Sequence, residues 1–180
     1  TPAKDERTLT GRNPFGGAWE PGTNKHWVVE NGNSLDRMVD LVAGQSYGWA
    51  GDDSAIVNNS NFLWDPATAP VNVAIVQSQT FGGSLFPAAS QSDAFVSLSG
   101  PTYGSGPQEN GKRIVQFPNL DARDANGKLT TQPVTLVQYN GTGRATLAAL
   151  AAGPDGLYFS DLYRDDAVGG ATAVGANVYR

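Results

Sequence analysis

The chain has no cysteine, a single histidine and a single methionine among 180 residues. Without thiols there is no disulfide framework, no thiolate metal site and no cysteine nucleophile. One histidine, His26, leaves too few soft ligands for a transition-metal centre, and its place beside a turn reads as surface. Charge is also scarce. Only 16 % of residues are charged, the net charge is −5, and the 12 basic residues are scattered instead of forming a stripe. That pattern argues against nucleic acid and against an anionic membrane surface, and for a neutral or small partner. No apolar run reaches the length of a membrane span. The opening residues Thr1 to Arg7 are too polar for a secretory signal, so any targeting segment is expected upstream or already removed.

What the chain has in quantity is turn chemistry. Its 22 glycines and 11 prolines leave little room for long helices, while 39 % apolar composition is enough for a core; the class expected is all-β. The most telling stretch is Leu150 to Tyr163, where an apolar strand, Gly153-Pro-Asp-Gly156 and a second apolar strand follow one another. Pro154 presets φ, Asp155 tolerates unusual angles, and Gly156 is expected at positive φ. The same grammar occurs at Ala18-Trp19, turn, His26 to Val29, and at Val73 to Val76 answered by Asp93 to Ser97. The spacing, roughly 55 to 75 residues, is that of a loose blade repeat.

After a polar lead-in at 1–10, three blade-like units are expected, at 11–61, 62–133 and 134–180, together forming one β-propeller portion. The first has a strand at Met38 to Val42 and loop composition from Ala50 to Asn61. The second is interrupted by Ser99 to Lys112, whose glycines, prolines and serines read as a surface loop. In the third, Ala145 to Ala152 has helical propensity, but its place before the turn favours a small-residue inner strand. Trp19, Trp27, Trp49 and Trp64 read as packing between blades more readily than as sugar-stacking surfaces. Asn58-Asn-Ser60 and Asn140-Gly-Thr142 fit glycosylation acceptors.

Gly11-Arg-Asn-Pro-Phe-Gly-Gly-Ala-Trp19, Trp27-Val-Val-Glu-Asn-Gly32, Gln45-Ser-Tyr-Gly-Trp49, Phe95 to Gly100 and Gly153 to Tyr158, in that order, resemble the soluble quinoprotein glucose/sorbosone dehydrogenase family. The resemblance implies a six-bladed propeller, of which about three blades, the C-terminal half, are present. It implies pyrroloquinoline quinone (PQQ) held over calcium near the ring axis, oxidation of a sugar or aldehyde, and a periplasmic or secreted location. Arg12 and Asn13 match quinone contacts, and a guanidinium suits an anionic ortho-quinone. Gly32 and Asn33 match carbonyl ligands of calcium, with Asp36 the acidic residue nearby. The histidine that serves as catalytic base in the family falls in the other half.

The chain also departs from the family pattern. Arg37 and Met38 stand where an acidic pair is expected. The axis-facing lysine is replaced around Ser97 to Gly100, unless Lys112 or Arg113 reaches back. Thr146 to Ala149 replace quinone-binding arginines, with Arg144 the nearest candidate. These substitutions motivate an alternative reading, a propeller without cofactor that works as a binding or assembly module. Asp161, Asp165 and Asp166, and likewise Asp52-Asp53, suit solvated loops better than ion sites. Three blades alone are expected to expose two large apolar faces. The missing half of the ring is therefore expected as a partner, either a second chain or a second copy.

Overall fold

The computed structural model describes residues 11–20, 22–76, 85–100, 104–163 and 177–180. They form three antiparallel sheets, and nearly all the regular structure is strand. The first sheet joins β1 (Pro14–Glu20), β2 (Lys25–Asn31), β3 (Asp36–Asp40) and β4 (Phe62–Trp64) in sequence order. The second joins β5 (Pro70–Ile75), β6 (Ala94–Leu98), β7 (Arg113–Phe117) and β8 (Val134–Gln138) in the same way. The third has β9 (Leu147–Gly153), β10 (Gly156–Asp161) and β11 (Val178–Tyr179). β5 touches both β1 and β9. The first strand of each sheet therefore lies innermost and the sheets fan outward, which is the up-and-down blade order of a partial propeller.

Turn chemistry sets the hairpins. Between β1 and β2, Glu20 pairs with Lys25, and the reversal passes through Gly22 (φ 84°) and Asn24 (φ 58°), residue types that enter the left-handed region at least cost. Between β9 and β10, Gly153 pairs with Gly156 across Pro154-Asp155, so the expected turn is there. Gly156 does not take the positive φ expected of it. Its missing side chain has another use: a Cβ there would lie 3.2 Å from Arg180 Cγ, and Arg180 reaches past it to pair with Asp155 at 2.8 Å. The stretch before the turn is strand, as its position suggested.

Packing explains where the sheet boundaries fall. Phe62–Trp64 pairs with β3 and belongs to the first sheet, while Val134–Gln138 pairs with β7 and closes the second. The first and second sheets thus each claim one strand that the sequence units give to the next. β3 begins two residues before its expected start because Asp36 and Arg37 are buried with specific partners, whereas Val42, expected in the strand, is 56 % exposed. The segment read as loop at 50–61 contains one helical turn, α1 (Ser54–Asn58), and Asp52 accepts the Ser54 N–H at 2.9 Å. Of Ser99 to Lys112, residues 101–103 lie outside the described residues and 104–110 are exposed or half-buried, as expected of a surface loop. Its ends are not, since Ser99, Gly100 and Lys112 are buried and Ser99 and Gly100 donate to the carbonyls of Ala69 and Thr68.

The core between the sheets has two parts. Trp27, Val29, Met38 and Trp64 of the first sheet pack on Val73, Val96, Val115 and Phe117 of the second. Phe95, Ile114, Leu150 and Leu157 join the second sheet to the third. The two outermost faces are not the large apolar surfaces expected of a half-ring. On the first sheet, Val28, Val39 and Leu41 cluster under Tyr47, so the chain's own 41–59 segment covers that face. On the third, the residues turned away from the second sheet include Ala149, Ala151, Tyr158 and Ser160, which are small or polar. Exposed apolar side chains occur on the outer strands, with Val134 at 60 % and Val178 at 73 %, and also on β1, where Phe15 and Trp19 are exposed.

Candidate functional site

The residues singled out by sequence meet at one end of the first sheet, around the β2–β3 turn. Gly32 N–H donates to Leu35 O at 2.9 Å and to Asp36 Oδ1 at 3.1 Å. A Cβ at Gly32 would fall 2.1 Å from Leu35 O, so the turn requires glycine. Asp36 Oδ2 accepts the N–H groups of Thr68 and Ala69 at 2.6 and 2.7 Å, which ties the turn to the lead into β5. Burial raises the Asp36 pKa above the ordinary carboxylate range, against the lowering by these three amide donors.

Arg12 and Asn13 are exposed and immediately precede β1. The Arg12 guanidinium donates to the Gly32 carbonyl and lies 5.5 Å from the Trp49 ring centroid. The Arg12 N–H donates to Glu30 Oε1, and Asn13 O accepts the Asn31 N–H at 3.1 Å. Glu30 is fully buried and pairs through Oε2 with Arg37, which is also fully buried. Arg37 donates in turn to the carbonyls of Tyr47, Ala55 and Asn59. One ion pair therefore fastens both the loop carrying Arg12 and Asn13 and the segment covering the sheet. Sequence reasoning missed this pair, because only the β2–β3 register sets Glu30 opposite Arg37.

Asp53 closes the turn from outside. Its carboxylate accepts the N–H groups of Asn33 and Ser34, both at 2.8 Å, and the Ser34 hydroxyl at 2.7 Å. Its partial burial pushes the pKa up, but these donors outweigh it and the net shift is downward. A carboxyl depressed in the fold binds fewer protons there than when unfolded. Its stabilisation is present above the ordinary value near 3.8 and is lost as pH falls through the lower folded value. Asp53→Asn is expected to flatten the acid limb of stability against pH, read as urea midpoints across that range. An unchanged limb would assign it to other groups.

The donor set at this turn does not fit calcium. Calcium takes six to eight oxygens, whereas the Gly32 carbonyl already faces a guanidinium and both Asp36 oxygens are turned to amide donors. Among the described residues no three His, Cys, Asp or Glu side chains gather as a metal would need.

A second feature at the same end of the sheets went unread in the sequence. A cavity of about 310 Å³ opens where the three innermost strands begin, lined by Phe15 and Asn31 of the first sheet, Val71 and Ser99 by the second, and Thr146 and Ala148 by the third. The Oδ1 atom of Asn31 is buried there with no hydrogen-bond partner. No arginine, lysine or histidine lines the cavity among the described residues. Arg12 and Asn13 are not part of its wall. The described lining offers the three carboxylates of PQQ no cationic partner from this chain. No sequence signal marks Asn31, since an orphaned oxygen is a property of packing.

No protein-family model matches the sequence, and no curated protein matches it either. Solved structures do. One described as "Crystal structure of glucose dehydrogenase" superposes with a TM-score of 0.55 at 17 % identity, covering 89 % of this chain and 44 % of that one. Another, a glucose dehydrogenase, gives 0.57 at 19 % identity over 89 % and 43 %. The chain thus has the fold of the sugar-dehydrogenase type and spans less than half the length of these neighbours.

Proposed function

We propose that this chain supplies the half of a sugar-oxidising propeller that receives a neutral, hydroxyl-bearing substrate, a sugar or a related aldehyde, at the axial cavity. The observation that carries this reading is Asn31 Oδ1, a buried acceptor without a donor in a cavity whose described lining holds no charge. A buried carbonyl oxygen left unpaired is costly, and a substrate hydroxyl would satisfy it without bringing a charge out of water. The fold likeness to two glucose dehydrogenases supports the substrate class. The redox step then belongs to groups contributed by the remainder of the ring.

The test is calorimetric titration of the protein with glucose and other aldoses, beside Asn31→Leu. A sugar should bind, and about tenfold more weakly to the variant, the size of one lost hydrogen bond. Binding indifferent to Asn31→Leu, or no binding by any aldose, would overturn the reading.

A second reading keeps the quinone at the exposed turn, with Arg12 and Asn13 as its contacts; calcium at Gly32, Asn33 and Asp36 would require the Gly32 carbonyl and the Asp36 oxygens to give up the donors they hold. The exposure of the Arg12 guanidinium beside Trp49 favours it. Under that reading, PQQ added with calcium should give an absorbance change that Arg12→Ala abolishes. A change that survives Arg12→Ala would place the quinone away from Arg12, and no change at all would leave the cofactor-free binding module in its place.

A further inference from the structure

A second cavity, of about 330 Å³, lies between the second and third sheets, bounded by β8, by the start of β9 and by β10 and β11. Its walls are apolar in part: Val137 from β8, Leu147 from β9, and the rings of Phe159 and Tyr179, whose centroids are 5.2 Å apart at 24°. A purely apolar groove would need only a repacked neighbour to fill it, but polar side chains line it too. Asp161 Oδ1 accepts the N–H groups of Thr146 and Tyr163 at 2.8 and 2.9 Å. The Thr146 hydroxyl, on a residue 2 % exposed, is buried with no hydrogen-bond partner. Lys112, 1 % exposed, has its ammonium on Gly106 O at 2.7 Å and over the Tyr139 ring.

A valine at position 146 would fill the same space without a stranded hydroxyl. The polar and apolar halves of the cavity together describe one kind of ligand. A hydroxyl beside Thr146 and Asp161 can accept from the threonine and donate to the carboxylate at once, while a flat ring occupies the space lined by Phe159 and Tyr179. The volume is at the lower end for small-molecule sites and suits a single ring.

We propose that this cavity is a binding site for a small aromatic molecule bearing a hydroxyl, its ring against Leu147, Phe159 and Tyr179 and its hydroxyl on Thr146 and Asp161. The site does not depend on the axial reading, although Thr146 and Leu147 also border the axial cavity.

The probes are benzyl alcohol and benzyl methyl ether, which differ in the hydroxyl proton, followed by saturation-transfer NMR and calorimetry. Benzyl alcohol should bind about tenfold more tightly than the ether, and about tenfold less tightly to Thr146→Val. Val137→Trp, placed on a strand whose residues are all exposed, should fill the mouth and abolish binding while leaving the glucose titration as in the parent. Equal binding of the ether, binding that survives Val137→Trp, or no binding of either probe would overturn the proposal. Should Thr146→Val fail to fold, Val137→Trp and the ether comparison decide it. Loss of glucose binding alone would count against the axial reading and not this one.

Discussion

Arg37→Met is expected to cost about 3–5 kcal/mol of folding stability, the range for removing one partner of a buried ion pair. Arg37 and Glu30 are both fully buried, with Nε to Oε2 at 2.7 Å, so the variant strands a carboxylate out of water. It also deprives the carbonyls of Tyr47, Ala55 and Asn59 of a donor. These carbonyls belong to the segment that covers Val28 and Val39, so the loss should be local as well as global. Amide hydrogen exchange across residues 41–59 should rise before that of β6 and β7, and the urea midpoint should fall. Replacing both partners, Glu30→Met with Arg37→Met, should not restore stability. Glu30 Oε1 also holds the Arg12 N–H, and the three carbonyls stay without a donor. A double variant as stable as the parent would show that the pair merely fills space.

This pair shows why three sheets can pack without an apolar face left open on the first. The two interior clusters join neighbouring sheets face to face, and the outermost face of the first sheet is closed by a crossing of the chain's own backbone anchored on Arg37. Phe15 and Trp19 on β1, with Val42, Val57 and Leu85, are exposed elsewhere, and the other exposed large apolar side chains lie on β8 and β11, at the outer rim. Association of a partner there would bury strand edges and side chains together, a different geometry from face-to-face blade packing.

Local chemistry was the legible part of this fold. Gly153-Pro-Asp-Gly156, the glycine and asparagine between β1 and β2, and the alternation of Trp27 and Val29 with Val28 each place a hairpin or a strand face without knowledge of the rest. The outer strands were less legible. Val134 to Gln138 is exposed at every position, so no alternation marks which sheet it serves. Long-range polar contacts were not legible at all. Asp36 draws its amide donors from Thr68 and Ala69, and Asp53 reaches Asn33 and Ser34, pairings that exist only after the sheets are assembled. The sequence did bring Arg12, Asn13, Gly32, Asn33 and Asp36 to one turn. It could not say that Arg12 would face the Gly32 carbonyl, the contact that sets this turn apart from an ion site.

Trp27→Ala should cost about 3–5 kcal/mol, the range for truncating a large buried aromatic. Trp27 is fully buried in the cluster between the first two sheets, and the Arg123 guanidinium, which pairs with Asp40 at 3.2 Å, lies 4.8 Å from its ring centroid. Its Nε1–H donates to Glu20 Oε2 at 3.0 Å, and Glu20 is itself 5 % exposed. The two contributions can be separated. Trp27→Phe keeps a ring in the core and beneath Arg123 but removes the N–H, so it should cost about 1–3 kcal/mol, the price of a buried acceptor left unsatisfied. Lys25, 3.9 Å from the same carboxylate oxygen, can take up part of that loss. Pairing Trp27→Phe with Glu20→Gln in a double-mutant cycle should give a coupling of the order of 0.5–3 kcal/mol, as contacting residues do. Urea unfolding of the four proteins measures it. A coupling near zero would assign the role of Trp27 to its bulk alone, and Trp27→Phe would then destabilise only through the volume it leaves empty.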